Sequence, residues 1–476
     1  MIRRQKIAVV AVLAFVSAQP LIWFSLVRGE GFSVKPVHLA FAAVLGGALL
    51  AWGRQVVRWP KRGLSAAFFV LFAAYLVWCW STLIWSPSVA GFVAIGKDTV
   101  YFAMFLILYG SWRNMQMQDK NVVGVWGAAA GCLMFLAVAE LTFAQQGRHF
   151  LIEYVQAAVS RDLVALQFGF YPKLFNAAAG GETLTRDDAN FISTSLRNTL
   201  VGAFVLYFFL TNAYRQNRRR RGSLRLAASW IFGGLSLILV VLSVSRSNWL
   251  ALALGIAAVS MSAYFKNRRR GASSARRGIR LSTLLILMSA IAACLLLAVV
   301  SAEALVSVLD VVAARVSQIG DDPRLAMIRE SMKAIGDRPL TGYGIGATLS
   351  GSIGVVADDM QIHNLFLAAW YEAGYPGFVI AVGFYVVLLV VWARHVISGG
   401  RGDEAVVRAQ IWVSGLPALP LVRMMVGGGG GGLSLIDMTC LAIFLAEYVR
   451  ATSAPAPESS PTRVSTMHMP LARARA

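Results

Sequence analysis

The sequence is short of charge. Asp, Glu, Lys and Arg together make up 14% of its 476 residues, against 57% hydrophobic ones. So little charge excludes a water-soluble globule of this size, and a mean hydropathy of +0.64 points the same way. The bilayer is then the solvent, and each crossing takes roughly 20 apolar residues. No room is left for a separate soluble domain of ordinary size.

Acidic residues are the scarcer sign, 23 against 44 Lys and Arg, for a formal charge of +21. In a soluble protein that excess would raise nucleic acid as a partner. Here the basic clusters lie between apolar runs, as positive-inside topology and anionic lipid headgroups require, so membrane lipids are the expected partner and nucleic acid is not. Cysteine is scarce too. Cys79, Cys132, Cys294 and Cys440 fall inside apolar runs, at neither disulfide nor metal-ligand spacing, and read as small core residues. The five histidines are far apart and make no zinc motif. Neither a metal nor another cofactor is expected, although the adjacent Asp358 and Asp359 fit either a divalent cation or plain solvation. There is no nucleophile elbow and no serine triad.

What is present is a series of apolar runs. Spans are expected near Ile7 to Val27, Val37 to Trp52, Leu64 to Trp85, Ala90 to Trp112, Val122 to Phe143 and Leu196 to Ala213. Six more follow, near Leu226 to Val244, Trp249 to Phe265, Leu281 to Val300, Phe366 to Trp392, Ala409 to Val426 and Leu433 to Val449. The fold expected is all-α: a polytopic integral membrane protein of about twelve helices, with a periplasmic helical segment between the ninth and tenth. Arg3, Arg4 and Lys6 before the first run imitate a cleavable signal, but the run continues through Leu21 to Val27 and favours a retained helix.

Sidedness follows from the cations. With a cytoplasmic N-terminus, every even-numbered connection should be basic. Arg54, Arg58, Lys61 and Arg62 follow span two; Arg215 and Arg218 to Arg221 follow span six; Lys266, Arg268 to Arg270, Arg276, Arg277 and Arg280 follow span eight. Both termini are then cytoplasmic, and the expected location is the bacterial inner membrane. Three regions result: 1–225, six helices with an outer loop over 144–195; 226–450, six more with an outer helical loop over 301–362; and 451–476, a Pro-, Ser- and Ala-rich tail expected to be disordered.

In the second outer loop, Leu305, Val308, Leu309, Val312, Val316 and Ile319 share one helical face and suggest a helix on the membrane surface. A further helix is announced by Asp322 as N-cap and Pro323 in its first turn, with Leu325, Ile328, Met332 and Ile335 as its buried stripe and Arg324, Arg329 and Lys333 off it. The glycines of Thr341-Gly342-Tyr343-Gly344-Ile345-Gly346 imitate a dinucleotide loop. Their spacing is wrong and no strand precedes them; tight turns in which backbone approaches a neighbour account for them better.

Three places carry candidate chemistry. His363 opens an apolar helix at the outer interface, where its imidazole either accepts a proton from a hydroxyl or merely anchors the helix. Arg246 lies in the short outer turn Ser245-Arg246-Ser247-Asn248, where a guanidinium suits a pyrophosphate or pairs with a carboxylate. Arg423 and Asp437, each about one turn inside its span, either pair with each other or leave Arg423 for phosphate; Lys97, Asp98 and Arg197 are open to the same two readings. Gly427 to Gly432, between Arg423 and Asp437, reads as a flexible outer loop.

Together these residues resemble the O-antigen ligase and Wzy-type polysaccharide polymerase superfamily of membrane glycosyltransferases. The resemblance is carried by Ser245-Arg246, by Arg324 through Pro339 with Gly342, Gly344 and Gly346, and by His363-Asn364 running on to Leu367, Glu372, Gly374, Pro376 and Gly377. It covers roughly Ile231 to Trp392. It implies transfer of a glycan from undecaprenyl pyrophosphate to an acceptor hydroxyl on the periplasmic face, in surface-polysaccharide biosynthesis. The acceptor would be another glycan, a lipid A core or a protein hydroxyl. Arg246 and Arg324 would hold the pyrophosphate and His363 would orient or deprotonate the acceptor, with Asn364, Arg338 and Arg423 binding around them. Attack on the anomeric carbon would invert it. Two rival classes remain: a transporter of lipid-linked sugar, which predicts paired halves and midplane charges that are not found, and a non-catalytic assembly protein.

Overall fold

The computed structural model describes residues 2–19, 27–29, 32–57, 59–60, 63–144, 149, 152–153, 156, 246–268, 323–349, 362, 364–398, 404–426 and 433–453. Spans six, seven and nine, most of the first outer loop, the helix expected over 305–319, Asp322, Asp358, Asp359, His363, the polyglycine run and most of the tail lie outside them.

Eleven helices are described: α1 Ile2–Ser17, α2 Pro36–Trp52, α3 Gly63–Thr82, α4 Val89–Asn114, α5 Met117–Ala144, α6 Arg246–Arg268, α7 Pro323–Asp337, α8 Leu365–Ile397, α9 Glu404–Val413, α10 Ala418–Val426 and α11 Leu435–Ser453. The described residues also form a short 3-10 helix, Gly53–Val57, and a two-stranded antiparallel hairpin, β1 Val27–Gly29 with β2 Phe32–Val34, in which Val27 faces Val34. Four helical segments are long and apolar enough to cross a membrane: Pro36–Val57, Gly63–Thr82, Val89–Asn114 and Leu365–Ile397. They coincide with expected spans two, three, four and ten.

Two expectations are corrected. The first run is expected as one helix from Ile7 to Val27; α1 ends at Ser17, and Val27 belongs to β1. The run expected from Ala409 to Val426 is two helices, α9 and α10, separated by the turn Ser414–Pro417. Proline at 417 supplies no N–H to the preceding turn, which ends α9; its own carbonyl accepts from Leu421 and opens α10.

Lipid offers helices no hydrophobic reward for meeting, so close packing and internal polar contacts hold the bundle. The packing is aromatic where α3, α4 and α8 meet. Phe72 lies 5.3 Å from Phe384 and 5.1 Å from Phe102, and Phe69 lies 5.1 Å from Phe105, ring centre to ring centre. Such pairs contribute about 0.5–1.5 kcal/mol each beyond area. Elsewhere small residues let helices touch: Gly47 of α2 lies against Ala8 of α1, and Gly110 of α4 against the carbonyl of Val56.

The helix ends sort into two rims. At one, Trp112 Nε1 donates to Glu447 Oε1 at 3.0 Å and Lys120 pairs with the same carboxylate. There too, the fully buried Lys266 donates to the His395 carbonyl at 2.6 Å, while His395 Nε2 donates to the Gln410 carbonyl at 2.8 Å. Arg450, Arg113 and Arg394 lie in the last turns of helices that end at this rim. The other rim carries the glycine-bearing segment 338–349 and is called the loop rim below.

Candidate functional site

The loop rim is built around a break in α8. Gly374 has φ 67° and ψ −171°, a conformation open essentially to glycine alone, and it interrupts the helix. Two residues later Pro376 has no N–H to give. The carbonyl of Glu372, which Pro376 would otherwise serve, is therefore free, and Gly344 N–H takes it at 2.8 Å. The carbonyl of Tyr371 loses its helical partner because Tyr375 N–H turns to Pro339 O at 2.9 Å; Tyr343 N–H replaces it at 2.7 Å. Ala373 O accepts Trp78 Nε1 of α3 at 2.7 Å. A glycine and a proline thus open one turn of helix, and the loop and a neighbouring indole close it.

The loop is clasped equally from the turn between α3 and α4. Ser86 Oγ donates to Tyr343 O at 2.7 Å, Ile345 N–H donates to Thr82 Oγ1 at 3.2 Å, and Trp85 Nε1 donates to Thr341 O at 3.3 Å. The glycines make this possible. A Cβ on Gly342 would stand 2.6 Å from Gly374 N, and one on Gly346 would stand 2.9 Å from Gly91 Cα. Gly342, Gly344 and Gly346 all have positive φ. Close backbone approach is therefore what these glycines serve, as their spacing in the sequence suggested.

Beneath the loop lies a carboxyl to which the sequence assigns no role, that of Glu372. Glu372 is 6% exposed. It receives the Gly346 N–H and feels the charges of Asp98 and Lys97 on α4. Asp98 itself has one buried oxygen with no hydrogen-bond partner among the described residues. Ionisable groups within apolar helices are the signal that could have singled out Glu372. Thr82 and Ser86, in contrast, gave no local signal.

The candidate residues fall as follows. His363 lies outside the described residues. Its neighbour Asn364 is the N-cap of α8: Oδ1 accepts from Phe366 N at 2.9 Å and Leu367 N at 3.1 Å, and Nδ2 donates to Met425 O in the last turn of α10 at 2.8 Å. Arg338 is exposed at the end of α7 with its guanidinium 5.1 Å from the centre of the Tyr343 ring, a cation–π contact. Arg423 pairs with Asp437 at 3.0 Å, so the ion-pair reading of these two describes them.

Arg246 opens α6. That helix packs on α8, α9 and α10, and its Lys266 end meets the last turn of α8, so α6 and α8 run parallel. Arg246 then lies about 30 Å from Lys266 along the axis, towards the loop rim. Arg324 is the second residue of α7, which packs on α8.

The stripe expected for α7 holds at Ile335 and fails at Ile328 and Met332. Ile328 and Met332 are 40% and 47% exposed; Ile335 is buried against Ile362, Ala368 and Tyr371 with Ala334 packed beside it, and Ser331 is buried as well. Ser331, which a hydrophobicity pattern cannot select, rotates the buried face away from the Ile328–Met332 line. Among the described residues no three His, Cys, Asp or Glu side chains gather in a way that would hold a metal ion.

Residues 231–382 match the model of a protein family described as O-antigen ligase. No curated protein matches the chain at a significant level.

Proposed function

We propose that this chain, whose residues 231–382 mark it as a member of the O-antigen ligase superfamily, is a membrane glycosyltransferase that moves a glycan from undecaprenyl pyrophosphate to an acceptor hydroxyl on the periplasmic face. The observation that carries the reading is that the matched segment spans Arg246, Arg324, Arg338, His363 and Asn364 together. The loop rim is then the outer face. In support, the basic clusters of the sequence, Arg3, Arg4 and Lys6 among them, belong to connections assigned to the opposite side.

In the proposed reaction His363 takes the proton of the acceptor hydroxyl as its oxygen bonds to the anomeric carbon. The bond from that carbon to the pyrophosphate oxygen breaks on the opposite face, so the configuration inverts and no covalent enzyme intermediate forms. Arg246 and Arg324 hold the pyrophosphate and stabilise the charge it gains on leaving, with Arg338 nearby. The chemistry requires no cofactor. Whether the acceptor is a lipid A core, a lipid-linked repeat unit or a protein hydroxyl decides between ligase, polymerase and protein glycosylation.

The test uses purified protein, an undecaprenyl-pyrophosphate-linked oligosaccharide and each candidate acceptor. His363→Ala and Arg246→Ala insert normally, and His363→Ala loses transfer by ~10² to 10⁴. Full transfer by both variants overturns the assignment. Lengthened lipid-linked products identify a polymerase, and a glycosylated lipid A core a ligase.

A further inference from the structure

Three helix ends meet at one corner of the loop rim: the start of α8, the end of α10 and the start of α11. In the chain, α10 and α11 are separated by Gly427 to Gly432. Side chains link the three ends directly.

Asp437, with no exposed surface, uses one oxygen three times: Oδ2 accepts Arg423 Nη1 at 3.0 Å, Ser434 N–H at 2.9 Å and Ser434 Oγ at 2.6 Å. Two residues beyond Arg423, the carbonyl of Met425 is one of the last four of α10 and has no helical donor of its own. Asn364 Nδ2 supplies one at 2.8 Å while its Oδ1 caps α8. The links run without a gap from α11 through α10 to the first turn of α8.

We propose that Asn364, Arg423 and Asp437 are positioning residues. The Asp437–Arg423 pair fixes the last turn of α10, Met425 O holds Asn364, and Asn364 in turn fixes the start of α8, the helix that follows His363 in the chain. This rests on the reading above that His363 receives the acceptor's proton. Arg423 therefore acts through α10 and not as a ligand of the donor pyrophosphate. Its Nε is buried, and its charge is met by a carboxylate with no exposed surface. A reactive group displaced by 1 Å can cost roughly 10²-fold in rate, so a loosened cap is felt in turnover.

Asn364→Asp separates the two jobs of the side chain, because a carboxylate caps a helix as well as an amide oxygen does but has no N–H for Met425 O. In transfer assays on the full-length protein, Asn364→Asp and Arg423→Met are expected to lower kcat by roughly tenfold or more and to leave the KM for the undecaprenyl-pyrophosphate-linked donor unchanged. Arg423→Lys, which keeps the charge, restores part of the loss. A raised donor KM with unchanged kcat in Arg423→Met makes Arg423 a donor ligand and overturns the proposal.

Amide hydrogen exchange decides the same point without activity. Arg423→Met and Asp437→Asn should speed exchange over 364–370 and leave 323–337 as in the unmodified protein. Unchanged exchange over 364–370 overturns the linkage. If the unmodified protein transfers no glycan to any acceptor, the functional reading falls, and the exchange measurement still settles whether the three residues hold the start of α8.

Discussion

Single glycines set the geometry of the loop rim, and they are not equivalent. Gly374 combines a glycine-only backbone conformation with a Cβ position occupied by the Leu340 carbonyl. Gly374→Ala is expected to cost about 1–3 kcal/mol from the backbone alone, with the clash in addition. Gly336 in α7 has open space where a Cβ would go. Gly336→Ala should stabilise by roughly 0.5–1 kcal/mol, through helix propensity. Unfolding of both variants in detergent checks the contrast; a neutral Gly374→Ala would mean that the loop is not held at the break.

At this scale the sequence disclosed residue types better than their uses. The need for close backbone approach at Gly342, Gly344 and Gly346 was legible because their spacing fits no phosphate loop. The pairing of Arg423 with Asp437 was legible as one of two readings, since both charges sit one turn inside apolar runs. Asn364 was legible as a helix start, but its second bond, to Met425 O, joins residues 61 apart in the chain and leaves no local trace.

Among the elements, α8 shows how a local rule break becomes a docking site. Proline inside a helix is normally a loss, because one carbonyl goes without its donor. Here Gly344 N–H takes that carbonyl. Pro376→Ala restores a competing donor to Glu372 O. The loop should then be held less firmly, by about 1 kcal/mol, the net value of a typical hydrogen bond. Faster amide exchange over 341–347 checks this; slower exchange contradicts it.

Expected spans two, three, four and ten were legible because long apolar runs have few other uses. The interruption at Ser414–Pro417 and the early end of α1 were not. In a run already apolar on all sides, hydrophobicity alone cannot mark where a helix stops and a turn or strand begins. The buried face of α7 was legible at Ile335 but not at Ser331, a buried serine that no hydrophobicity pattern selects.

Across the whole molecule, the rim opposite the loop is held by buried charge. Lys120 and Glu447 are 3% and 1% exposed, and Trp112 shares the carboxylate. Removing one partner of such a pair strands the other. Lys120→Met is therefore expected to cost about 3–5 kcal/mol, and adding Glu447→Gln, which keeps an acceptor for the indole, should recover much of it. Unfolding midpoints of the single and double variants make the test; additive losses would show that the two residues do not depend on each other.

The clasp between Ser86 and Tyr343 joins residues 257 apart in the chain, which gives the fold a schedule as well as a shape. Translation at about 5–20 residues per second separates the two partners by roughly 13–50 s. Throughout that interval the hydroxyl of Ser86 and the indoles of Trp78 and Trp85 have been made and their partners have not. The first four helices must therefore wait in the membrane with polar groups uncommitted, and the corner that α3 and α4 present becomes final only when α8, with its break, arrives to close it.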